Sequence, residues 1–204
     1  MKLIFLGPPG SGKGTQAKMI AADLKISHIS MGDILRKAIK DGTEVGKLAE
    51  SYLKKGALVP DDVVNEIARQ AVEQLKGFLL DGYPRTVYQA EFLQKHVGID
   101  KVVYIDVPKD AIVKRLTGRL SCKNCGAVYQ VSSNPPKKQG ICDACGSELY
   151  IRNDDKEETI IKRFEVYEKE TSKLIEFYRA KGILVDVDGN GSLDEVYKRI
   201  KAYL

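Results

Sequence analysis

Short and almost continuous apolar runs recur along the chain and predict buried β-strands. Four runs are clear, at residues 2–6, 77–81, 101–107 and 183–187, and a weaker one lies at 27–29. A strand inside a parallel sheet is covered on both faces, so its sequence is apolar throughout rather than alternating. The pattern therefore predicts a parallel sheet built from these runs.

Helical periodicity fills the intervals between the runs. Residues 61–76 place their apolar side chains on one stripe behind a Pro-Asp start signal, and residues 16–24 are also compatible with a helix. A second long stripe, over residues 156–180, is formed by Ile160, Phe164, Tyr167, Leu174, Ile175 and Tyr178. Strands that alternate with helices predict an α/β fold, a parallel five-stranded sheet flanked by helices.

Two stretches interrupt this alternation and are interpreted as inserted, mobile lobes. Residues 30–59 have a helical pattern without a strong strand, and residues 118–155 are rich in Gly, Pro, Ser and Cys. We therefore expect a core domain made of residues 1–29, 60–117 and 156–204.

Composition limits the class of protein further. The chain has 204 residues, of which 43% are hydrophobic and 30% charged, which suits one globular core with small insertions. The first apolar run stops at a Gly-Pro-Pro-Gly sequence, so it is too short for a signal peptide. Since no run approaches the about 20 apolar residues of a membrane span, we expect a cytoplasmic protein with no membrane partner.

A glycine-rich loop follows the first predicted strand and precedes a predicted helix. The sequence Gly-Pro-Pro-Gly-Ser-Gly-Lys-Gly-Thr, at residues 7–15, has the composition and context of a phosphate-binding P-loop, although a mere connecting turn is the alternative. Gly14 stands where the general pattern has Ser or Thr for Mg²⁺. Carboxylates elsewhere must then help to hold the metal, and the candidates are Asp81 and Asp33. Asp33 could also cap a helix that begins at Ile34, a role that is compatible with holding the metal.

All four cysteines fall in the second inserted stretch. The order Cys122-x2-Cys125-x16-Cys142-x2-Cys145 has the spacing of a structural zinc ribbon. Two disulfides or free thiols are the alternatives, and iron could occupy the same four sulfurs during overexpression.

Segments along almost the whole chain resemble the adenylate kinase family, in the family's order. The similar segments are residues 7–17, residues 30–36, residues 81–85 with Gln89, the pair Arg115 and Arg119, and residues 152–159 with Arg163. The resemblance implies a P-loop NTPase-type fold and a Mg²⁺-dependent phosphoryl transfer from ATP to AMP. It also implies that residues 30–59 bind AMP and that residues 118–155 form a zinc-bound lid.

The resemblance assigns roles residue by residue. The ATP-binding residues would be Gly10, Ser11, Gly12, Lys13, Gly14, Thr15, Arg115, Arg119, Val128, Tyr129 and Gly191. The AMP-binding residues would be Met31, Arg36, Ala57, Leu58, Val59, Gly82, Tyr83, Pro84, Arg85, Gln89, Arg152 and Arg163. The catalytic cations would be Lys13, Arg85, Arg119, Arg152 and Arg163. Asp33 and Asp81 would hold Mg²⁺ through water, and the four cysteines would bind Zn²⁺.

Met31 departs from the family pattern, which has Thr beside the AMP base. Another nucleoside monophosphate kinase is therefore one alternative function. The other is a nucleic-acid-dependent ATPase that binds through its zinc ribbon. Dispersed basic residues and the acidic Asp143 and Glu148 in the ribbon oppose nucleic-acid binding. The expected partners are ATP and AMP, without nucleic acid, and the resemblance suggests a monomer.

Overall fold

A parallel five-stranded sheet forms the centre of the computed structural model, which describes residues 1–131 and 134–204 except for the side chain of Lys114. Its strand order is β2-β3-β1-β4-β8. The strands are β1 (Lys2–Leu6), β2 (Ser27–Ser30), β3 (Phe78–Asp81), β4 (Lys101–Asp106) and β8 (Leu184–Asp188). The predicted fold class is thus confirmed, and the strand bounds differ from the predicted ones by about one residue.

Helices cover both faces of the sheet, and alternate residues of each strand divide between two apolar clusters. Ile4, Leu80 and Val102 pack in one cluster, while their neighbours Leu3 and Leu79 pack in the other. The helices are α1 (Lys13–Leu24), α2 (Met31–Lys40), α3 (Glu44–Lys54), α4 (Asp61–Val72), α5 (Val87–His96), α6 (Lys109–Thr117), α7 (Glu157–Val166), α8 (Lys173–Arg179) and α9 (Leu193–Lys201). The apolar pattern had not indicated α5 or α6.

The predicted helix over 156–180 is wrong as one continuous α-helix. A π turn (Tyr167–Thr171) separates α7 from α8, and its hydrogen bond runs from the Ser172 amide to the Tyr167 carbonyl at 2.9 Å. Helix α4 also ends four residues before the predicted position 76.

Helices α2 and α3 form the segment that follows β2. The Ser30 side chain accepts a hydrogen bond from the Asp33 amide, so Ser30 caps α2. The alternative that Asp33 caps a helix beginning at Ile34 is therefore wrong. A Cβ at Gly46 would lie 2.1 Å from the Ala38 carbonyl oxygen, so glycine allows α3 to pack closely against α2.

A three-stranded antiparallel sheet lies in the cysteine-rich segment. Its order is β6-β5-β7, with β5 (Arg119–Cys122), β6 (Val128–Gln130) and β7 (Leu149–Tyr150), and a 3₁₀ turn (Asn153–Asp155) leads back to α7. The buried residues of this segment include Cys122, Tyr129 and Cys142. Among the described residues, the helices are all too short or too polar to cross a membrane.

Candidate active site

The glycine loop lies between β1 and α1, at the edge where the parallel strands end. Gly10 and Gly12 have φ of 83° and 91°, a region that L-residues with a side chain avoid. A Cβ at Gly10 would also lie 2.8 Å from the Leu116 side chain. The glycines thus let the loop fold tightly over the N-terminus of α1, where amide groups and the helix dipole attract anions.

Lys13, the first residue of α1, lies partly buried beside the loop and donates a hydrogen bond to the Pro8 carbonyl at 3.1 Å. Burial lowers the pKa of Lys13 to about 8, against an opposing influence from Asp81. Burial would raise the pKa of Asp81, but His28, Lys13 and Arg85 outweigh it and hold that pKa below its usual range. The pair therefore carries opposite charges at neutral pH.

The position of Asp81 explains why residue 14 is glycine. A Cβ at Gly14 would lie 3.1 Å from Oδ2 of Asp81, closer than an ordinary contact. A serine or threonine in that place would press on the carboxylate. Glycine keeps Asp81, at the end of β3, next to the start of α1.

A cleft of about 850 Å³ extends from the glycine loop across the edge of the sheet. It is lined by every nucleotide-binding residue that the sequence predicted except Pro84, which lines a smaller cavity of about 60 Å³ behind the loop. Among the described residues that line the cleft, eight are Lys or Arg and four are Asp. An excess of cations in a concave site favours a strongly anionic ligand.

Arg119 and Arg163 meet at one fully buried carboxylate. Asp155 accepts two hydrogen bonds from Arg119, one of them at 2.7 Å from Nε, and a third from Arg163 at 3.1 Å. Asp154 pairs with Arg163 at 3.0 Å. Sequence analysis had assigned no role to Asp154 or Asp155, although both stand in the segment that resembles the family. The structure shows that they fix the directions of the two guanidinium groups.

The other arginines of the cleft are also held by neighbours. Arg36 pairs with Asp33, Arg152 donates to the Ser121 hydroxyl at 2.7 Å, and Arg85 donates to the Gly82 carbonyl at 2.9 Å. Burial, with repulsion from other arginines, lowers the pKa of both Arg85 and Arg152 to about 10. These guanidinium groups are thus desolvated and oriented, the condition in which they bind phosphate oxygens most strongly.

Arg115 holds two loops together at one end of the cleft. It donates to the Ser11 carbonyl of the glycine loop at 3.3 Å and to the Gly189 carbonyl at 3.1 Å. The second bond fixes the loop that contains Gly191. Tyr129 faces the cleft from β6, and its hydroxyl accepts a hydrogen bond from the Asp143 amide at 2.8 Å.

Gln89 and Met31 are two uncharged side chains that also line the cleft. Gln89 is buried, accepts from the Arg85 amide at 2.7 Å and donates to Asp61 at 2.7 Å, so its side-chain amide keeps one donor and one acceptor position free of these bonds. Met31 is also buried and lines the cleft, where its thioether offers an apolar surface.

Comparisons with known proteins agree with this geometry. The family model described as adenylate kinase matches residues 5–183 of the chain. The chain belongs to the adenylate kinase family. It is 52% identical over 212 residues to an adenylate kinase of Caldanaerobacter subterraneus subsp. tengcongensis, covering 100% of this chain and 96% of the relative. It is 51% identical to one from Archaeoglobus fulgidus and 50% identical to one from Thermoanaerobacter sp. (strain X514), in each case over 212 residues that cover 100% of this chain and 98% of the relative.

The four cysteines of this adenylate kinase family member come together at one end of the small sheet. Their Sγ atoms all lie within 4.8 Å of one another, and two pairs, Cys122 with Cys145 and Cys125 with Cys142, are 3.5 Å apart. Tetrahedral sulfurs at about 2.3 Å from a zinc ion would be about 3.8 Å apart, so the arrangement fits the metal. The four cysteines are free thiols in the structure, and no two of them form a disulfide. Hydrogen bonds from Ser147 lower the pKa of Cys145 to about 6, which favours the thiolate that a metal requires.

Lys18 and His28 are among the cleft-lining residues that the sequence analysis does not identify. Lys18 of α1 donates to the Gly126 carbonyl at 2.9 Å and so joins the core to the cysteine-rich segment. His28 of β2 places Nε2 3.8 Å from Oδ2 of Asp81. Neither residue belongs to a sequence motif, and only the tertiary structure reveals their positions.

Proposed function

We propose that this protein catalyses the reversible transfer of the terminal phosphoryl group of ATP to AMP, which gives two molecules of ADP. The observation that carries the proposal is the convergence of arginines from separate segments with Lys13 over one glycine loop. Phosphoryl transfer requires little covalent chemistry from the protein, because the transition state is loose and carries its charge on the equatorial oxygens of the transferred group. Most of the catalysis can therefore come from oriented cations in a water-poor cleft, which align the nucleotides and stabilise the charge of the transition state.

In this proposal the glycine loop and Lys13 bind the ATP phosphates, with Arg115, Arg119, Val128, Tyr129 and Gly191 around the rest of ATP. Arg36 and Arg85 bind the AMP phosphate. Arg152 and Arg163 reach between the two nucleotides, where the transferred group passes. Gln89 contacts the AMP base, with Met31 and the segment 57–59 around it.

Mg²⁺ would neutralise phosphate charge, and the residues that would hold it through water are Asp81 and Asp33. Both carboxyl groups have pKa values below their usual range, so both are anionic at neutral pH. A hard cation prefers such oxygen ligands.

The segments 30–59 and 118–155 act in this proposal as lobes that close over the bound nucleotides. Water competes with AMP as the phosphoryl acceptor, and closure excludes it. The lid is stabilised by a structural Zn²⁺ on its four cysteines. The protein works in the cytoplasm as a monomer, without nucleic-acid or membrane partners.

The test is an assay of the purified protein with Mg-ATP and, separately, AMP, GMP, CMP and UMP, in which the nucleoside diphosphate formed is measured. We expect ADP formation with AMP to exceed product formation with the other acceptors. No ADP from ATP and AMP would contradict the proposal, and a different preferred acceptor would point to another nucleoside monophosphate kinase. ATP hydrolysis that rises with added DNA would instead support the nucleic-acid-dependent ATPase.

Two arginine-to-lysine variants, one inside the cleft and one outside it, test whether the activity depends on the cleft. Arg85→Lys keeps the charge but loses the planar fork, so we expect kcat/KM for AMP to fall by about a hundredfold, on the scale of a misplaced catalytic group. Arg69→Lys, on the exposed face of α4 beside Glu66, is the matched control and should retain the wild-type rate. Equal rates for the two variants would break the assignment of Arg85.

A further inference from the structure

Thr171 is a buried polar residue within an apolar stripe. Ile160, Leu174 and Tyr178 of that stripe are buried, and Thr171 is itself only 9% exposed, whereas the nearby Glu168 is exposed. A hydroxyl in such a position needs a hydrogen-bond partner, because an unpaired buried polar group is costly.

The partner of Thr171 lies far away in the sequence. Its hydroxyl donates a hydrogen bond of 2.9 Å to the carbonyl oxygen of Arg85, which belongs to the loop between β3 and α5. The bond therefore joins the π turn to the loop that carries one of the cleft's arginines.

The same stretch of chain carries a second arginine of the cleft. Arg163 lies in α7, four residues before the π turn begins, and Thr171 is the last residue of that turn. Such turns, inserted into α-helices, are frequent at functional sites. Arg163, Thr171 and Arg85 all line the cavity of about 60 Å³ behind the glycine loop.

Arg85 and Arg163 need external support because they repel each other. Both are partly buried, and burial together with the charge of Arg163 lowers the pKa of Arg85 to about 10. The bonds that Arg85 makes to Gly82 and Gln89 reach only its own loop and the first turn of α5. The bond from Thr171 is different, since it connects that loop to the helix that bears Arg163.

We propose that Thr171 is a positioning residue for the reaction: its hydroxyl holds the backbone of Arg85 at a fixed distance from α7, so that Arg85 and Arg163 face the AMP phosphate together. This inference rests on the proposed function, in which the two arginines bind AMP and the transferred group. Thr171 acts through Arg85 and has no contact with substrate of its own.

The experiment compares Thr171→Val, which removes the hydroxyl at nearly constant volume, with Thr171→Ser, which retains it. Steady-state kinetics with AMP varied and with ATP varied, and thermal unfolding, are measured for each purified protein. We expect Thr171→Val to lower kcat/KM for AMP by about tenfold, the value of one hydrogen bond, while KM for ATP changes by less than about twofold. Thr171→Ser should restore the wild-type kinetics.

Ser172→Ala is the matched control, because the Ser172 hydroxyl bonds to the Glu168 carbonyl in the same π turn without touching Arg85. It should behave like the wild type.

The inference is overturned if Thr171→Val keeps wild-type AMP kinetics, if it affects ATP and AMP equally, or if Ser172→Ala reproduces its effect. Should Thr171→Val fail to fold, Thr171→Ala takes its place with the same expected outcomes. A wild-type protein that makes no ADP from ATP and AMP contradicts the proposed function instead, so the two failures are distinguishable.

Discussion

Lys13 illustrates at the scale of one residue how burial prepares a group for its ligand. Its pKa is lowered to about 8, so the free protein loses this charge as the pH rises through that value. We expect kcat/KM for ATP to be constant below pH about 8 and to fall above it by about tenfold per pH unit, since this parameter reports the free enzyme. A rate profile from pH 6 to 10 tests this expectation. Lys13→Arg, which cannot lose its charge in that range, should abolish the descending limb, and a limb that persists would assign it to another group.

Asp155 gives a second prediction at this scale. Asp155→Asn keeps the shape of the side chain but leaves Arg119 and Arg163 buried near each other without their shared carboxylate. We expect kcat to fall at least about tenfold and the free energy of unfolding to drop by about 3 kcal/mol, because breaking a buried ion pair leaves unpaired charge. Kinetics measured at temperatures well below the unfolding midpoint separate the loss of kcat from the loss of stability. Glu66→Gln, which breaks an exposed ion pair with Arg69, is the control and should change neither quantity noticeably.

At the scale of elements, the loop between β8 and α9 is held from two sides. Arg115 binds the Gly189 carbonyl from the cleft, and Arg199 of α9 binds the carbonyls of Asp188 and Asn190 from the surface. If Gly191 lies at the ATP base, Arg199→Gln should raise KM for ATP about threefold or more while KM for AMP stays constant, since the charged hydrogen bonds to two loop carbonyls are lost. Arg179→Gln, which breaks exposed pairs with Glu176 and Asp186, is the matched control. Equal changes in both KM values would argue against this role.

The cysteine-rich lobe is an element whose apolar core is too small for independent stability. Its buried residues include Cys122, Tyr129 and Cys142, with Leu120 and Leu149 packed partly against them. A bound metal would supply folding free energy to the lobe, as in other small metal-dependent domains. Prolonged chelation, with metal loss verified by atomic spectroscopy, should therefore lower the unfolding midpoint, and added zinc should restore it. An unchanged midpoint after verified loss would refute a structural metal.

At the scale of the whole molecule, the exposed apolar side chains are dispersed over separate elements. Val45 and Leu48 lie on α3, Tyr88 on α5 and Ile161 on α7. The proposed function takes the protein to act as a monomer. We expect light scattering to give the mass of one chain, 22.6 kDa, at micromolar concentration. A mass twice as large that persists on dilution would contradict a monomer.

Local patterns were sufficient for the parts of this fold that depend on near neighbours. The apolar runs predicted the strands because burial on both faces leaves a composition that is visible in any short window. The cysteine spacing predicted the sulfur cluster because two short knuckles place each pair of thiols by local turns, with Gly126 and Gly146 in the left-handed region. Periodicity predicted α4 but extended it by four residues, since the ends of helices depend on weak local preferences.

The sequence by itself determined the α/β class, the glycine loop, the cysteine quartet and, through its resemblance to the adenylate kinase family, many of the residues that line the cleft. Only the tertiary structure decided how those residues are held. Asp155 between two arginines, Thr171 on the Arg85 carbonyl and Lys18 on Gly126 join positions 8 to 108 residues apart. Such pairings leave no periodic trace along the chain, because they depend on which strand ends meet at one edge of the sheet and on how the helices pack there. A motif identifies the chemical group at a position. The packing of distant segments determines how that group is oriented and, through its pKa, how it is charged.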